Sequence, residues 1–165
     1  MLPKPVKPVV ICLSGRIGSG KTSMSAALAR ARGAASVSFG AYVRTAAAAR
    51  GLDSTHRETL QNLGAKLIED HGHDWFCREV LATASWDGDR DLVVDGIRHV
   101  AVLEVIKRLV APTNTVLIHL TLNSESDLRA RASSRGSPLS REQYWRRTRP
   151  NVTFRMHCPE SRTLC

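Results

Sequence analysis

The sequence is poor in aromatic residues, which account for only 5% of its 165 residues. No stretch interleaves aromatic with basic residues in the way that a platform for stacking nucleobases requires. A nucleic acid is therefore not expected as the main partner, although the formal net charge of +9 would suit either a nucleic acid or small phosphorylated molecules.

Cysteine is scarce, and its spacing excludes two classes of small protein. The four cysteines, Cys12, Cys77, Cys158 and Cys165, form no C-x-x-C pair. A disulfide framework or a zinc site is therefore not expected. Cys12 stands in an apolar run, where a thiol packs as a small apolar group.

Long apolar runs are also missing. None reaches the length of a membrane-spanning helix. Residues 1–8 hold two lysines and three prolines but no apolar segment of the kind that a secretory signal needs. The composition predicts a soluble cytoplasmic protein with no membrane partner, and 165 residues are enough for one domain with a substantial core.

What the sequence does contain is a glycine-rich motif, GRIGSGKT, at residues 15–22. It matches the G-x-x-x-x-G-K-[ST] pattern of a phosphate-binding loop. The apolar run Val9–Leu13 predicts a buried strand before the motif, and Ser23–Arg32 is rich in the helix-forming residues Ala, Leu and Met. A strand, a glycine loop and a helix in this order are the context that the motif requires.

The residue types of this loop fit the chemistry of phosphate binding. Glycines let the backbone curl and turn its N–H groups inward, and the N-terminus of the next helix adds further donors. The lysine adds a positive charge for the β- and γ-phosphates of a nucleotide, and the threonine hydroxyl is a ligand for Mg²⁺. The predicted cofactors are therefore ATP and Mg²⁺. The predicted nucleotide-binding residues are Gly15, Gly18, Ser19, Gly20, Lys21, Thr22 and Ser23.

Apolar runs alternate with helical patterns along the chain, and this alternation predicts an α/β fold with a mainly parallel sheet. Gly72 should separate two helices, so the stretch His71–Asp74 is interpreted as a polar turn rather than a metal site. The predicted strands are Val9–Leu13, Ser36–Phe39, Leu92–Val94 and Val116–Leu122. The predicted helices are Ser23–Arg32, Ala41–Arg50, His56–Asp70, Asp74–Ser85, His99–Leu109 and Glu125–Ser134.

An aspartate stands where a second metal ligand is expected. Asp95 directly follows the apolar run Leu92–Val94, so it should lie at the carboxyl end of a buried strand. In phosphate-loop proteins a carboxylate at that position helps to hold Mg²⁺. The sequence thus predicts Thr22 and Asp95 as metal ligands, with Arg98 beside the same crevice above the strand ends.

Arg44 is a candidate for binding a second phosphate. It is predicted on the first turns of a helix that follows a sharp turn at Gly40. Guanidinium binds phosphate bidentately, which suits this role. A solvated helix arginine is an equal alternative on the residues alone.

Another group of arginines, Arg129, Arg131 and Arg135, precedes the break at Gly136. On a helix Arg129 and Arg131 face apart, so they cannot easily share one target. At least one of the three, with Arg135 as the candidate, is predicted to lie in a lid and to neutralise charge on a transferring phosphoryl group. The alternative is a basic solvated helix.

The order of these motifs resembles the nucleoside monophosphate kinase group of phosphate-loop proteins, which includes adenylate kinases and, more distantly, dephospho-coenzyme A kinases. The loop at residues 15–22 is similar to the group's donor-ATP loop. Ser38–Arg44 looks like its acceptor-phosphate segment Gly-Asp-x-x-x-Arg, with the Gly and Arg present and Ala41 in place of Asp. Asp95–Arg98 resembles its Asp-Gly-x-x-Arg segment, shortened by one residue.

This resemblance implies a fold, a reaction and a set of residue roles. The fold would be a three-layer phosphate-loop NTPase with four or five strands in the order 2-3-1-4-5, in a domain of residues 1–144 with a lid at about 125–140. The reaction would be transfer of the γ-phosphoryl group of ATP·Mg²⁺ to a small phosphorylated acceptor. Lys21, Arg98 and Arg135 would be catalytic, and Gly40, Arg44, Asp95 and Arg98 would bind the acceptor.

Other substrates and one other class of function stay open. Dephospho-coenzyme A kinases usually carry Asp-Ala-Asp after the second strand, where this chain has Ser38-Phe39-Gly40. Ala41 and a short lid also distinguish the chain from adenylate kinases. The alternatives to a nucleotide kinase are a dephospho-coenzyme A kinase, an ATP-binding switch or ATPase that acts through a partner protein, and a degraded copy that still binds nucleotide.

The last segment does not continue the pattern. Residues 145–165 hold five arginines and one glutamate and show neither a helical nor a strand period, where the related kinases add a fifth strand. Read two nucleotides further on, with permissible synonymous codons, the same stretch becomes AAHPTERDVPDALPGVADLV, which has a helix pattern that ends in an apolar strand. We interpret residues 145–165 as an irregular basic tail that arises from a frameshift.

Overall fold

The apolar runs of the sequence form the strands of a parallel sheet with helices on both faces. The computed structural model describes residues 7–16 and 18–121. Within this part of the chain, no helix combines the length and the apolar character needed to cross a bilayer. The elements are β1 (Val9–Gly15), α1 (Lys21–Arg32), β2 (Ala35–Ser38), α2 (Phe39–Ala49), α3 (Arg57–Ala82), β3 (Leu92–Ile97), α4 (Val100–Leu109) and β4 (Asn114–Leu120).

The four strands lie in the order β2-β3-β1-β4, and every neighbouring pair is parallel. The predicted α/β class and the order of the first four strands are confirmed. Because the strands are parallel, the carboxyl ends of β1, β2 and β3 meet at one edge of the sheet, where ligands bind in open α/β sheets. The predicted fifth strand, the lid at about residues 125–140 and the tail at 145–165 lie outside the described residues.

Helices cover both faces of the sheet, which produces three layers. On one face α1 packs against Ile11, Leu13 and Val93. On the other face α2, α3 and α4 enclose a larger core around Cys12 and Val94. Burial raises the pKa of the Cys12 thiol to about 12, so this cysteine stays neutral and packs as an apolar group.

The connection between β2 and α2 differs from the sequence prediction. The sequence predicts a strand that continues to Phe39 and a turn at Gly40, but β2 ends at Ser38 and α2 begins at Phe39. The side-chain oxygen of Ser38 accepts a hydrogen bond from the backbone N of Ala41 (3.3 Å) and so caps the helix. The prediction that Gly40 makes the turn is wrong, because Gly40 lies in the first helical turn and has no positive φ.

Helix α3 is kinked at Gly72, where the backbone has φ 82° and ψ 166°. Glycine adopts this conformation without a steric cost, whereas other residues do not. The predicted break between two helices is therefore confirmed. After the kink, Phe76 contacts Phe39 of α2, with ring centroids 5.4 Å apart, and Cys77 packs on Val102 of α4.

Candidate functional site

The glycine-rich loop connects β1 to α1, and its path depends on three positive φ angles. Gly15, Gly18 and Gly20 have φ of 142°, 82° and 87°, which side chains rarely allow. Gly20 is the N-cap of α1, and no side chain caps this helix end. The first N–H groups of α1 are therefore left for a ligand, as an anion site at a helix N-terminus requires.

Gly15 is fixed by a close approach to β4 as well as by its φ angle. A Cβ atom at this position would lie 2.4 Å from the carbonyl oxygen of Leu120 and 3.0 Å from Ser19 Oγ. Leu120 is also the partner of Gly15 in the register between β1 and β4. The loop therefore begins in a gap that has room only for glycine.

Lys21 folds back over the loop that precedes it. Its Nζ atom donates hydrogen bonds to the carbonyl oxygens of Gly15 (2.7 Å) and Arg16 (2.6 Å) and lies 3.5 Å from Ser19 Oγ. The ammonium group is thus held at the loop, where a phosphate that binds to the loop N–H groups would meet its charge.

Asp95 lies inside β3, between the two neighbouring strands. Its register partners are Leu13 of β1 and Ser38 of β2, and only 7% of its surface is exposed. Oδ2 of Asp95 lies 3.5 Å from Thr22 Oγ1. Its other carboxylate oxygen, Oδ1, is buried and has no hydrogen-bond partner among the described residues.

The electrostatics of Asp95 fit a cation. Burial has the largest effect and raises the pKa of Asp95 above its ordinary value of 3.8. The charge of Lys21, the hydrogen bond from Thr22 and the charges of Arg98 and Arg44 lower this pKa, but by less. A buried carboxylate oxygen without a partner costs free energy unless a positive group binds it. Carboxylate and hydroxyl oxygens are the ligands that Mg²⁺ prefers. Thr22 and Asp95 therefore fit the metal that the sequence predicts.

Two arginines from different parts of the chain place their positive charges near Asp95. Arg98 directly follows β3, and Arg44 lies on the second turn of α2. Both guanidinium charges act on the Asp95 carboxyl group. Gly40 leaves space beside one of them, since a Cβ atom there would lie 3.6 Å from Arg44 Nη1.

One cavity of about 710 Å³ joins the loop, Asp95 and the two arginines, and this volume is typical of small-molecule sites. Of the other predicted residues, Ser23 is exposed on α1 and does not line the cavity. Arg135, Arg129 and Arg131 lie outside the described residues. The predicted site residues that do line the cavity are Gly18, Gly20, Lys21, Thr22, Gly40, Arg44, Asp95 and Arg98.

Helix α3 contributes a part of the cavity that the sequence reasoning missed. Arg57, Leu60, Gln61, Gly64 and Ile68 line it, and their spacing places them on one face of the helix. The signal in the sequence was an apolar stripe interrupted by an arginine, a glutamine and a glycine, which is unusual for a face that packs only against a core. Ser38, Thr55 and His99 also line the cavity and were not predicted.

Comparison with known proteins identifies the family and the fold. The chain matches the AAA domain family over residues 11–151. It is similar to a protein from Chloroflexus aurantiacus J-10-fl described as a "putative kinase", with 22% identity, a TM-score of 0.56 and coverage of 80% of this chain and 69% of that one. It is also similar to a gluconokinase from Sinorhizobium meliloti 1021, with 18% identity, a TM-score of 0.52 and coverage of 86% and 73%. At these identities the likeness shows the fold alone, an α/β domain with a parallel sheet flanked by helices. None of the curated proteins compared with the chain matches it.

Proposed function

The chain belongs to the AAA domain family, and we propose that it is a kinase that transfers the γ-phosphoryl group of ATP·Mg²⁺ to a nucleoside monophosphate. One observation carries this proposal: the phosphate loop, a buried aspartate and two arginines from other elements line the same cavity. A phosphate loop alone would suit any nucleotide-binding protein. The arginines add a second place for a phosphate, which a two-substrate transfer requires.

The cavity residues divide into a donor group and an acceptor group. The loop N–H groups and Lys21 would bind the β- and γ-phosphates of the donor, and Thr22 and Asp95 would hold the metal. Bound Mg²⁺ would supply neutralisation of phosphate charge. Arg44 and Arg98 would bind the acceptor phosphate. Positioning and charge stabilisation account for most of the catalysis of phosphoryl transfer, so no covalent intermediate is needed.

A phosphorylated acceptor is favoured over a neutral one by the charges around Asp95. Two guanidinium groups in the cavity would gain little from a neutral sugar and much from a phosphate. Dephospho-coenzyme A is a weaker candidate, because Ser38-Phe39-Gly40 stands in place of the Asp-Ala-Asp of its kinases. Gluconate belongs in any test of acceptors, because one of the proteins that share this fold is named a gluconokinase.

Release of ADP from ATP·Mg²⁺ is the direct test of the reaction. It should be measured with each nucleoside monophosphate, with dephospho-coenzyme A, with gluconate and without an acceptor. We expect ADP release that depends on a nucleoside monophosphate. Release that depends only on dephospho-coenzyme A or gluconate, release without any acceptor, or nucleotide binding without release would each overturn the proposed reaction.

Lys21 offers a variant with a close control. Lys21→Ala should lower acceptor-dependent turnover roughly 100- to 1000-fold, because it removes a charge placed for the transferring group. Lys66→Ala should leave turnover unchanged, since Lys66 is an exposed lysine of α3 that pairs with Asp70 (3.2 Å) and does not line the cavity. Equal turnover in the two variants would contradict the role assigned to Lys21.

A further inference from the structure

The outer edge of β4 is not paired within the part of the chain that the structure describes. β4 lies at one end of the sheet and pairs there only with β1. Alternate residues of such a strand turn their backbone N–H and C=O groups away from the sheet, where they form a template for another strand. Among the described elements β4 makes its main contacts with β1, which leaves this edge accessible in that part of the chain.

The edge of β4 lacks the features that usually protect an edge strand. Such strands are protected by charged residues, by proline or by being short. β4 is seven residues long, and its sequence NTVLIHL contains no lysine, arginine, aspartate, glutamate or proline. The other edge strand, β2, has only four residues. β4 is therefore the edge that is suited to pairing with a further strand, and its composition favours an uncharged partner.

β4 also carries an apolar patch beside its unpaired backbone. Val116 is 47% exposed. Ile118 lies two residues further on, on the same face of the sheet, and packs only in part against the core beside α1. A partner strand with branched apolar residues at the same spacing would cover both side chains.

A second copy of β4 is the partner strand that fits best. The sequence shows no strand pattern after residue 122 that would pair with β4 from the same chain. Two copies of β4 that run antiparallel, with the central residue Leu117 on a two-fold axis, would pair all seven residues of each strand. This register also keeps each face of the sheet continuous, because residues opposite each other point to the same face.

The same register matches the side chains on both faces of the sheet. On the face of α1, Val116 would lie opposite Ile118 of the second copy. On the other face, Thr115 would lie opposite His119 of the second copy. Thr115 Oγ1 is buried and has no hydrogen-bond partner among residues 7–16 and 18–121. A rotation of the Thr115 side chain toward that imidazole would give the hydroxyl group a partner.

We propose that the protein forms a dimer through the outer edge of β4, with the two copies of β4 paired antiparallel about a two-fold axis at Leu117. The two four-stranded sheets would become one continuous sheet. Such an interface uses the same surface on both copies and is complete after two of them. No residue of β4 lines the cavity, so both sites would stay accessible, and this inference does not depend on the proposed function.

Sedimentation equilibrium over a series of protein concentrations tests the dimer. We expect the mass of the wild type to rise with concentration to twice 18.1 kDa and no further. Val116→Lys should raise the dissociation constant of the dimer at least about tenfold, because it places two like charges at the edge. Val116 is exposed in the single chain, so the variant should still fold, which circular dichroism checks.

Ser36→Lys is the control for this variant. It places the same charge at an exposed position of the other edge strand, β2. We expect its dissociation constant to equal that of the wild type. ADP release per chain should be the same in Val116→Lys as in the wild type, since Val116 lies outside the cavity. The dimer and the proposed reaction are thus tested separately.

A mixture of oppositely charged variants tests the register. The two copies of Val116 would lie diagonally across the axis at roughly 7 to 8 Å, a spacing that long side chains reach across. Val116→Glu should therefore also favour the monomer, whereas an equimolar mixture of Val116→Lys and Val116→Glu should form dimers again.

Four results would overturn the inference. The first is a wild-type protein that stays monomeric at every concentration, and the second is one that forms species larger than a dimer. The third is a dimer that is as stable in Val116→Lys as in the wild type, which would place the interface elsewhere. The fourth is a mixture of the two charged variants that remains monomeric.

Discussion

Burial of the Asp95 carboxyl group disfavours its charged form and so lowers the stability of the folded protein at neutral pH. In the folded protein burial raises its pKa above 3.8, so the folded state holds the proton to a higher pH than the unfolded chain. The contribution of Asp95 to the free energy of unfolding is therefore greatest below pH 3.8 and falls as the pH rises through the raised pKa.

Asp95→Asn should stabilise the protein in the absence of ligands. The substitution removes the buried charge, so we expect a higher melting temperature than that of the wild type at neutral pH and a smaller difference in acid. Thermal unfolding over a pH series measures this. The same variant should lose roughly 100-fold in Mg²⁺-dependent turnover, which is the pattern of a residue kept for function at the expense of stability.

Asp70→Asn is the control for that experiment. Asp70 is a carboxylate on α3 that pairs with Lys66 and is 42% exposed at its side chain. Its replacement should change neither the melting temperature nor turnover noticeably. A melting temperature of Asp95→Asn below that of the wild type at neutral pH would show that the carboxylate is already compensated without a cation.

Gly15→Ala should be strongly destabilising. The added Cβ atom would meet the Leu120 carbonyl oxygen at 2.4 Å in a backbone with φ 142°, so we expect a loss of about 2 to 4 kcal/mol in the free energy of unfolding. Gly33→Ala is the control, because φ is 59° there but no atom lies within 4 Å of the new Cβ. It should cost about 1 kcal/mol. Equal losses in urea denaturation would show that β4 yields to the methyl group.

Some residues of the candidate site could be predicted from the sequence and others could not, for a physical reason. The loop residues could be found because the G-x-x-x-x-G-K-[ST] spacing is fixed along the chain. Gln61 could not, because its position in the cavity depends on the rotation of α3 against α2, which no local pattern encodes. The exposed position of Ser23 on α1 was missed for the same kind of reason.

Among the elements, the start of α2 is the one that positions the proposed acceptor site. β2 passes into α2 without a loop, because Ser38 both ends the strand and caps the helix. Asp95 pairs with Ser38 in the sheet, so the first turns of α2 begin beside the aspartate. Arg44 is therefore carried by a rigid element rather than by a loop.

Gly40→Ala should raise the stability of the protein and weaken its binding of the acceptor. Gly40 lies inside α2 without a positive φ, so alanine should stabilise the helix by about 0.5 to 1 kcal/mol. The new methyl group would lie 3.6 Å from Arg44 Nη1 and take space that a phosphate would use. We expect a several-fold higher KM for the acceptor, measured by steady-state kinetics beside urea denaturation. Higher stability with an unchanged KM would mean that no ligand approaches Arg44 from this side.

The number and type of the strands and helices were predicted more accurately than the residues at which they begin and end. All four strands in the described part of the chain were expected, because short apolar runs between helical patterns have few other interpretations. β3 continues past Val94 to Ile97, since Asp95 still pairs with both neighbouring strands. The sequence prediction ended the strand at the first polar residue, but the hydrogen bonds between strands are made by the backbone and do not depend on the side chain. The break at Gly72 was predictable because glycine favours it locally.

In the whole molecule, the described part of the sheet ends at β4, which pairs only with β1 there. Val116 on this strand is 47% exposed. The family match reaches residue 151 and so includes the first residues of the predicted tail. The frameshift interpretation of residues 145–165 stays a prediction. Sequencing the 3′ end of the gene should reveal a base change relative to close relatives, and its absence would remove the interpretation.

Binding of a triphosphate by the loop N–H groups and Lys21 is the central requirement of the proposed function. Calorimetric titration of the folded protein with ATP and Mg²⁺ measures this directly. We expect saturable binding by the wild type, similar binding by Lys66→Ala, and binding at least about tenfold weaker by Lys21→Ala. ATP at 100 times its Kd should also stabilise the wild type by about 2.7 kcal/mol. Absence of both heat and a thermal shift for folded wild-type protein, or equal binding by Lys21→Ala, would contradict the account.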